Sequence, residues 1–498
     1  MSVSAPDEVE SGASPASPPS NHRWWVLATV GIAQLMVVLD ATIVNIALPS
    51  AQADLGFTDG DRQWIITAYA LAFGSLLLLG GRIGDMFGRK VTFLTGAVGF
   101  AVASAIGGAA PSFEVLVAAR AGQGVFAALL APAALSLLTT TFTDPAERAK
   151  AFSIFGAIAG GGGALGLLLG GVLTEYLDWR WTLYVNLIFV VIAFAGGLLL
   201  LQKSKRDTAV KLDMVGTVLV TGGLFSLVYG FANAESHDWD SPLTWGFLLA
   251  GVVLVAAFAF WQTRAEHPLL PLRVLLDRNR GASFVALAVV GAGMFGIFLF
   301  LTYYLQQVLA FSPVQTGVAF MPMVLGLMIS STVAAAVLLP RIGPKPIVPV
   351  GMGISVAALV LLTTLGADSS YLPDVVVPLF IMGLGMGSVM APAMNLAIAG
   401  VDASDAGVAS AAVNTLQQVG GSIGTALLTT MFSSAVTGYV ADHDPTDPAT
   451  MLGASLHGYE TAYWWSAGFF AVGLVVSLVL YRRGVAQADT SGQPVVHM

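Results

Sequence analysis

The chain is a succession of apolar runs, each about twenty residues long, parted by short polar stretches. The first runs from Trp24 to Pro49 and reads WWVLATVGIAQLMVVLDATIVNIALP. At ~1.5 Å per residue, a helix of that length exceeds the ~30 Å hydrocarbon core of a bilayer. The runs are continuous and do not alternate with polar residues, which argues against a transmembrane β-barrel. They predict an all-α membrane protein of fourteen transmembrane helices, at 24–49, 64–82, 91–110, 114–140, 151–173, 182–201, 214–232, 244–262, 281–304, 315–339, 346–366, 375–399, 407–432 and 461–481.

Placing the basic residues orients the spans. With the N-terminus inside, 18 of the 21 Lys and Arg fall in cytoplasmic segments, Arg62 and Arg180 fall outside, and Arg120 lies within the fourth span. Cytoplasmic loops carry such an excess, so both termini are expected to be cytoplasmic. The ten Trp all lie at or near span ends, the place of interfacial anchors. Residues 1–23, rich in Ser, Pro, Ala and Glu, read as a disordered tail, and 483–498 as a second cytoplasmic tail. The first span lacks a basic flank and a cleavage site, so it is expected to be retained.

A chain order within the bundle is also legible. Ala131-Pro132-Ala133 recurs as Ala391-Pro392-Ala393, and Gly160-Gly161 as Gly420-Gly421, both at an offset of 260 residues. IGDMFGRK after the second span has a weaker echo, RIGPKP, after the tenth. Residues 24–201 and 281–482 are therefore expected to form two six-helix halves, with 202–280 a linker that carries two inserted helices. Two such repeats about an axis along the membrane normal hold substrate at their interface near the midplane.

Composition narrows the chemistry. Hydrophobic residues make up 56% and charged residues 10%, against ~25% charged in soluble domains. The 56 Gly suit close helix packing. There is no Cys, hence no disulfide, thiolate metal site or catalytic thiol. The six His fall in expected tails or loops, so no buried histidine metal site or relay is expected. Without a nucleophile–base pair, a phosphate-binding loop or a sizeable soluble domain, the chain is not expected to be an enzyme, an ATP-driven pump or a receptor. No cofactor, metal or nucleic-acid partner is expected. The expected partners are a small amphipathic molecule, protons and the bilayer, and the expected state is a monomer in a bacterial plasma membrane.

Two ionisable residues lie clearly in mid-span, Asp40 and Arg120. Charges at bilayer depth are costly and mark ion pathways or static pairs. An Asp whose protonation follows the approach of Arg120, water or a cationic ligand is a proton carrier tied to conformation. A buried pair that only holds the bundle together is the alternative. Glu114 lies close enough in sequence to place Arg120 within reach of water. Uncharged amides at depth are candidate substrate contacts or helix–helix bridges: Gln34 and Asn45 in the first span, Gln123 in the fourth, and Asn414, Gln417 and Gln418 in the thirteenth. Met294, Phe295, Phe298 and Phe300 are candidate linings of an adaptable apolar cavity. The fifth span carries Gly156, Gly160 to Gly163, Gly166, Gly170 and Gly171, a spacing that suits backbone-to-backbone helix contact.

These motifs together resemble a known family. GRIGDMFGRK, from Gly81 to Lys90, is similar to the cytoplasmic loop signature of the major facilitator superfamily. LDATIVNIALP from Leu39 resembles the first-helix signature of its fourteen-span drug:proton antiporter branch, the EmrB/QacA type. Arg120-Ala-Gly-Gln-Gly, the glycines of the fifth span, WRW at 179–181 and NTLQQVGGSIGTA at 414–426 also resemble that branch. The resemblance implies alternating access and proton-driven export, with Asp40 and Arg120 in proton coupling. It further implies an inner gate at Gly81, Asp85, Gly88, Arg89 and Lys90, and an antiporter motif at Gly162, Gly166, Gly170 and Gly171. One position departs: Leu167 stands where the branch usually has Pro, so a less kinked fifth helix is expected. A dedicated exporter of one endogenous metabolite, antibiotic or lipid on the same fold is the alternative reading.

Overall fold

The computed structural model describes residues 20–482 apart from 59, 143, 203–212, 238, 240, 267, 271, 399–400, 402–405 and 445–447. The second tail, residues 1–19 of the first and the basic run 203–212 thus lie outside the described residues. Residues 20–23 belong to the first helix instead, and Arg23 pairs with Glu147 at 2.6 Å.

Every described element is helical. They are α1 (Ser20–Leu55), α2 (Arg62–Phe87), α3 (Arg89–Gly108), α4 (Phe113–Thr141), α5 (Pro145–Tyr176), α6 (Trp181–Leu200), α7 (Met214–His237), α8 (Pro242–Gln262) and the short α9 (Leu272–Leu276). They continue with α10 (Arg278–Tyr303), α11 (Pro313–Ala319), α12 (Met321–Val333), α13 (Leu339–Ile342), α14 (Pro344–Leu362), α15 (Val376–Ile398), α16 (Ala406–Ala441) and α17 (Pro448–Leu480). Single π-helical turns extend α10 at Tyr304–Val308, join α12 to α13 at Ala334–Leu338 and precede α15 at Tyr371–Val375. Among the described residues, twelve helical segments are long and apolar enough to cross a membrane. The other two expected spans fall on α2 and α5, helices of 26 and 32 residues.

Two element ends differ from the sequence reading. The last two long helices extend well past the expected 407–432 and 461–481, so His457 sits on α17, not in a loop. His22 and His237 likewise lie on helix ends.

The helices pack in two sets that repeat one scheme. In the first, α1 meets α5 and α6, α2 meets α4, and α3 meets α4 and α6. In the second, α10 meets α16 and α17, α12 meets α15, and α14 meets α15 and α17. Glycines set the closest crossings. A Cβ at Gly80 would sit 1.9 Å from the Ala128 carbonyl oxygen, and one at Gly383 would sit 2.0 Å from that of Met323. The joints repeat as well: Gly88 between α2 and α3 has φ +96°, and Gly343 between α13 and α14 has φ +73°. Only glycine adopts that region without strain.

The sets touch through α2 on α16 and through α11 on α5, and the α7–α8 hairpin seats on α2 and α16 through α7. The end of the bundle at which α1 begins is its near end, and the end at which α1 finishes is its far end.

Candidate functional site

Asp40 lies at the centre of α1, fully buried, and three long polar side chains converge on it. The Arg120 guanidinium on α4 donates from Nη1 to Asp40 Oδ2 at 2.6 Å. Gln123 Nε2, one turn further along α4, donates to Oδ1 at 2.9 Å, and Asn186 Nδ2 on α6 donates to the same oxygen at 2.7 Å. The i, i+3 spacing of Arg120 and Gln123 puts both on one face of α4.

The network closes on itself. Arg120 also donates from Nε to the Ile65 carbonyl at 3.1 Å and from Nη1 to Gln123 Oε1 at 2.8 Å. Its guanidinium carbon lies 4.4 Å from the Tyr69 ring centroid on α2, a cation–π contact. Gln123 Nε2 donates onward to Ser104 Oγ on α3 at 2.8 Å. Five helices thus contribute to one charge site. Arg120 is 1% exposed, so the expectation that water reaches it fails: α2 covers it with Tyr69 and the Ile65 carbonyl.

Such a site can do one simple thing. The carboxylate is balanced by one cation and oriented by two amides, so its protonation would leave the guanidinium uncompensated. The charge balance of the site thus depends on the contact between Asp40 and Arg120.

The other expected residues fall elsewhere. Gln123 is fully buried within the charge network. Asn45 is buried and donates to the carbonyls of Ala41 and Thr42 in its own helix, at 3.2 Å each. Gln34, Gln417 and Gln418 are half-buried and Asn414 is exposed. A Cβ at Gly74 on α2 would lie 3.0 Å from that of Gln418, which puts Gln418 on the seam between the sets. Among the aromatic candidates, Phe298 and Phe300 are fully buried in the second set.

The α2–α3 joint keeps its basic residues at the near end. Lys90 Nζ donates to the carbonyls of Leu198 and Leu201 at 2.8 and 2.6 Å, which caps α6, and Arg89 Nη1 reaches the Ser136 carbonyl at 3.4 Å. Gly81 lies against Pro132 on α4. Asp85 is on α2, and its side chain lies outside the described residues.

The glycines of α5 serve close approach. Cβ atoms at Gly162, Gly166 and Gly170 would meet Val38, Thr42 with the Leu39 carbonyl, and the Ile43 carbonyl of α1. One at Gly171 would sit 2.5 Å from the Pro313 carbonyl at the start of α11. Three glycines therefore pack α5 on α1 and one packs it on the opposite set.

At the far end the sets are stitched together. Tyr303 Oη donates to Gln52 Oε1 at 2.7 Å, Gln306 Nε2 to the Ile46 carbonyl at 3.1 Å, and the Val314 amide to Glu175 Oε2 at 2.9 Å. Arg62, expected in an outer loop, is instead fully buried at the start of α2. Trp179, expected as a belt residue, is also buried and donates from Nε1 to Asp54 at 3.1 Å, whereas Trp25, Trp245, Trp464 and Trp465 are exposed.

Sequence reasoning missed Asn186, Ser104 and Tyr69. Asn186 carried a usable signal, an amide inside the apolar run of α6. Ser104 and Tyr69 carried none, because such residues are common in membrane helices.

The described residues form a multi-pass bundle of two similarly packed helix sets, with a buried ion pair between α1 and α4 and no strand. The chain belongs to the Major Facilitator Superfamily, whose model matches residues 30–425. It is 49% identical to the puromycin resistance protein pur8 of Streptomyces alboniger, over 96% of this chain and 95% of that protein. It is 37% identical to the cephamycin export protein CmcT of Amycolatopsis lactamdurans, over 82% of this chain and 85% of that one. It is also 36% identical to the tetracenomycin C resistance and export protein of Streptomyces glaucescens, over 88% and 81%. Among solved structures, an auto-inhibited peptide transporter of the POT family superposes with a TM-score of 0.67 at 16% identity, covering 95% of this chain and 99% of that one. A bacterial homologue of the lysosomal transporter Spinster, inward-facing and occupied, gives 0.63 at 14%, covering 93% and 97%. At those identities the likeness is one of fold. The protein is thus a transporter of this superfamily and not an enzyme.

Proposed function

We propose that the protein is a proton-driven exporter of amphipathic organic compounds, drugs or antibiotics, which works by alternating access with Asp40 as its proton carrier. The observation that carries this is the buried Asp40 carboxylate, neutralised by Arg120 and oriented by Gln123 and Asn186. Its fourteen helices span the plasma membrane, with the near end in the cytoplasm. Continuous helices at α2 and α5 and the placement of the basic residues support that count and orientation. The two sets, residues 24–201 and 281–482, act as rocking halves. Their matching packing scheme and the 260-residue repeat support this division, with α7 and α8 as a lateral insertion. The far-end contacts and the exposure of Asn414 support an access path open toward the cytoplasm, with cargo meeting Gln34, Asn414 and Gln417 there. The α2–α3 joint with Arg89 and Lys90 is the inner gate. The chain acts as a monomer.

A proton entering from outside is worth about 2.3 kcal/mol per 100 mV of membrane potential. It binds Asp40, releases Arg120, and is passed inward as the halves exchange. The test is dye and antibiotic accumulation in an efflux-deficient bacterium that carries the wild type or Asp40→Asn, with and without a protonophore. Low accumulation abolished by both changes supports the reading; equal clearance by wild type and mutant refutes Asp40 as carrier.

A second reading is favoured by the relatives, each named for a single antibiotic. The protein is then a dedicated exporter of one compound. Export of puromycin without ethidium or other dyes would select it.

A further inference from the structure

The far half of the seam between α2 and α16 holds polar side chains with nothing to bond. A Cβ at Gly74 would lie 3.0 Å from Gln418 and 3.4 Å from the Thr415 carbonyl, while the Arg62 guanidinium lies 4.9 Å from the Phe432 ring centroid. The two helices therefore run antiparallel between these anchors. On α2 the stripe through Gly74 carries Thr67 and Gln63, and on α16 the stripe through Gln418 carries Thr425 and Thr429. All four are fully buried. Gln63 Oε1 and Nε2 and the three hydroxyls make no hydrogen bond in this conformation.

A buried polar group without a partner loses its hydration and gains nothing in return. One such group is an accident of packing. Four residues on the two facing stripes of one seam are positions that an apolar residue would fill more stably. They make sense if the seam is wet in another state. Arg62 crosses the seam at this end. Arg62 lies over Tyr303 at 4.2 Å, Phe432 at 4.9 Å and Phe300 at 5.8 Å, all from the opposite set, and Tyr303 also holds Gln52.

We propose that the α2–α16 seam parts at the far end in the alternate conformation. Gln63, Thr67, Thr425 and Thr429 then form the wetted wall that hydrogen-bonds the polar part of a departing cargo, and Arg62 is the latch that closes it by stacking on Tyr303 and Phe432. This rests on the alternating-access reading above and adds the exit wall and its closing residue.

The chain has no cysteine, so single cysteines report cleanly. Thr429→Cys and Thr67→Cys are reacted from outside, in right-side-out vesicles, with a membrane-impermeant maleimide; Tyr176→Cys, 71% exposed at the end of α5, is the control. Adding Arg62→Gln should raise Thr429→Cys labelling by on the order of tenfold, as when a two-state equilibrium loses one contact of its closed state. Tyr303→Leu should do the same, and it carries the test if the Arg62 variant is absent from the membrane. Separately, Gln63→Leu and Thr429→Val should raise the melting temperature while they slow export, a combination that a merely structural role does not give. Seam cysteines that stay unlabelled in every background while Tyr176→Cys reacts and cargo is exported would overturn the proposal, as would apolar replacements that export at the wild-type rate. Labelling requires no proton flux, so loss of proton coupling with the seam still reactive counts against the proposed function and not against the seam.

Discussion

Arg120 Nη1 stands 2.6 Å from Asp40 Oδ2, with both side chains withdrawn from solvent. Removing one partner of such a pair leaves the other charge buried and uncompensated, which costs about 3–5 kcal/mol, whereas replacing both with apolar residues is often neutral. Asp40→Leu should therefore lower the melting temperature sharply in detergent, and the double variant Asp40→Leu with Arg120→Leu should recover most of the loss. Neither should export cargo. Thermal unfolding of the three chains checks the first expectation and vesicle transport the second.

Arg120→Lys tests the fork and not the charge. The guanidinium serves Asp40, Gln123 and the Ile65 carbonyl at once and stacks on Tyr69. An ammonium is a compact point charge that cannot span those partners. Export should fall at least as far as a lost charged hydrogen bond of about 1.5–3 kcal/mol implies, while the chain still reaches the membrane. Wild-type transport kinetics in Arg120→Lys would show that charge alone suffices.

The α5 glycines divide into two kinds. A methyl at Gly170 would sit 2.7 Å from the Ile43 carbonyl, a backbone atom that cannot swing aside. Gly170→Ala should destabilise by about 1–3 kcal/mol as it pries α5 from α1. Gly161 has nothing within 4 Å of such a methyl, so Gly161→Ala should stabilise by about 0.5–1 kcal/mol through helix propensity. Melting temperatures of the two variants should move in opposite directions.

Asp213 ties the α7–α8 hairpin together at the near end. Its carboxylate accepts from Trp261 Nε1 and Gln262 Nε2 at 2.8 Å each and from the Gly216 amide at 2.7 Å. Burial pushes its proton affinity up, but the donors from Gly216, Gln262 and Trp261 outweigh it and hold the carboxyl below its ordinary 3.8. A depressed value gives stability that is present above the ordinary range and lost as pH falls through the folded value. Trp261 fluorescence of the wild type should report loosening of the hairpin below about pH 4, and Asp213→Asn should flatten that dependence. An identical acid limb in both chains would count against it.

The sequence made the Asp40–Arg120 pair legible because a charge inside an apolar run is expensive and therefore rare. The helix boundaries around it followed from run length. Asn186 and Ser104, separated from Asp40 by 146 and 64 residues, could not be paired with it from periodicity, since uncharged polar residues serve many purposes in membrane helices. Gln123 stays open between substrate contact and helix bridge in the sequence for the same reason: its spacing from Arg120 shows a shared face but not what that face meets. Arg62 was assigned to a loop because it begins a span, and its burial depends on Tyr303 and Phe432 closing over it from the other set. Depth set by tertiary cover has no signature in a local window.

Proton-driven export by this chain stands or falls with Asp40 as the carrier of the proton exchanged for cargo. Purified protein reconstituted into liposomes with a trapped pH-sensitive dye is the decisive system. Cargo added down its gradient should drive proton movement in the opposite direction in the wild type and none in Asp40→Asn, while Asp40→Asn still binds cargo. Cargo-driven proton movement of equal size in both chains would contradict the assignment.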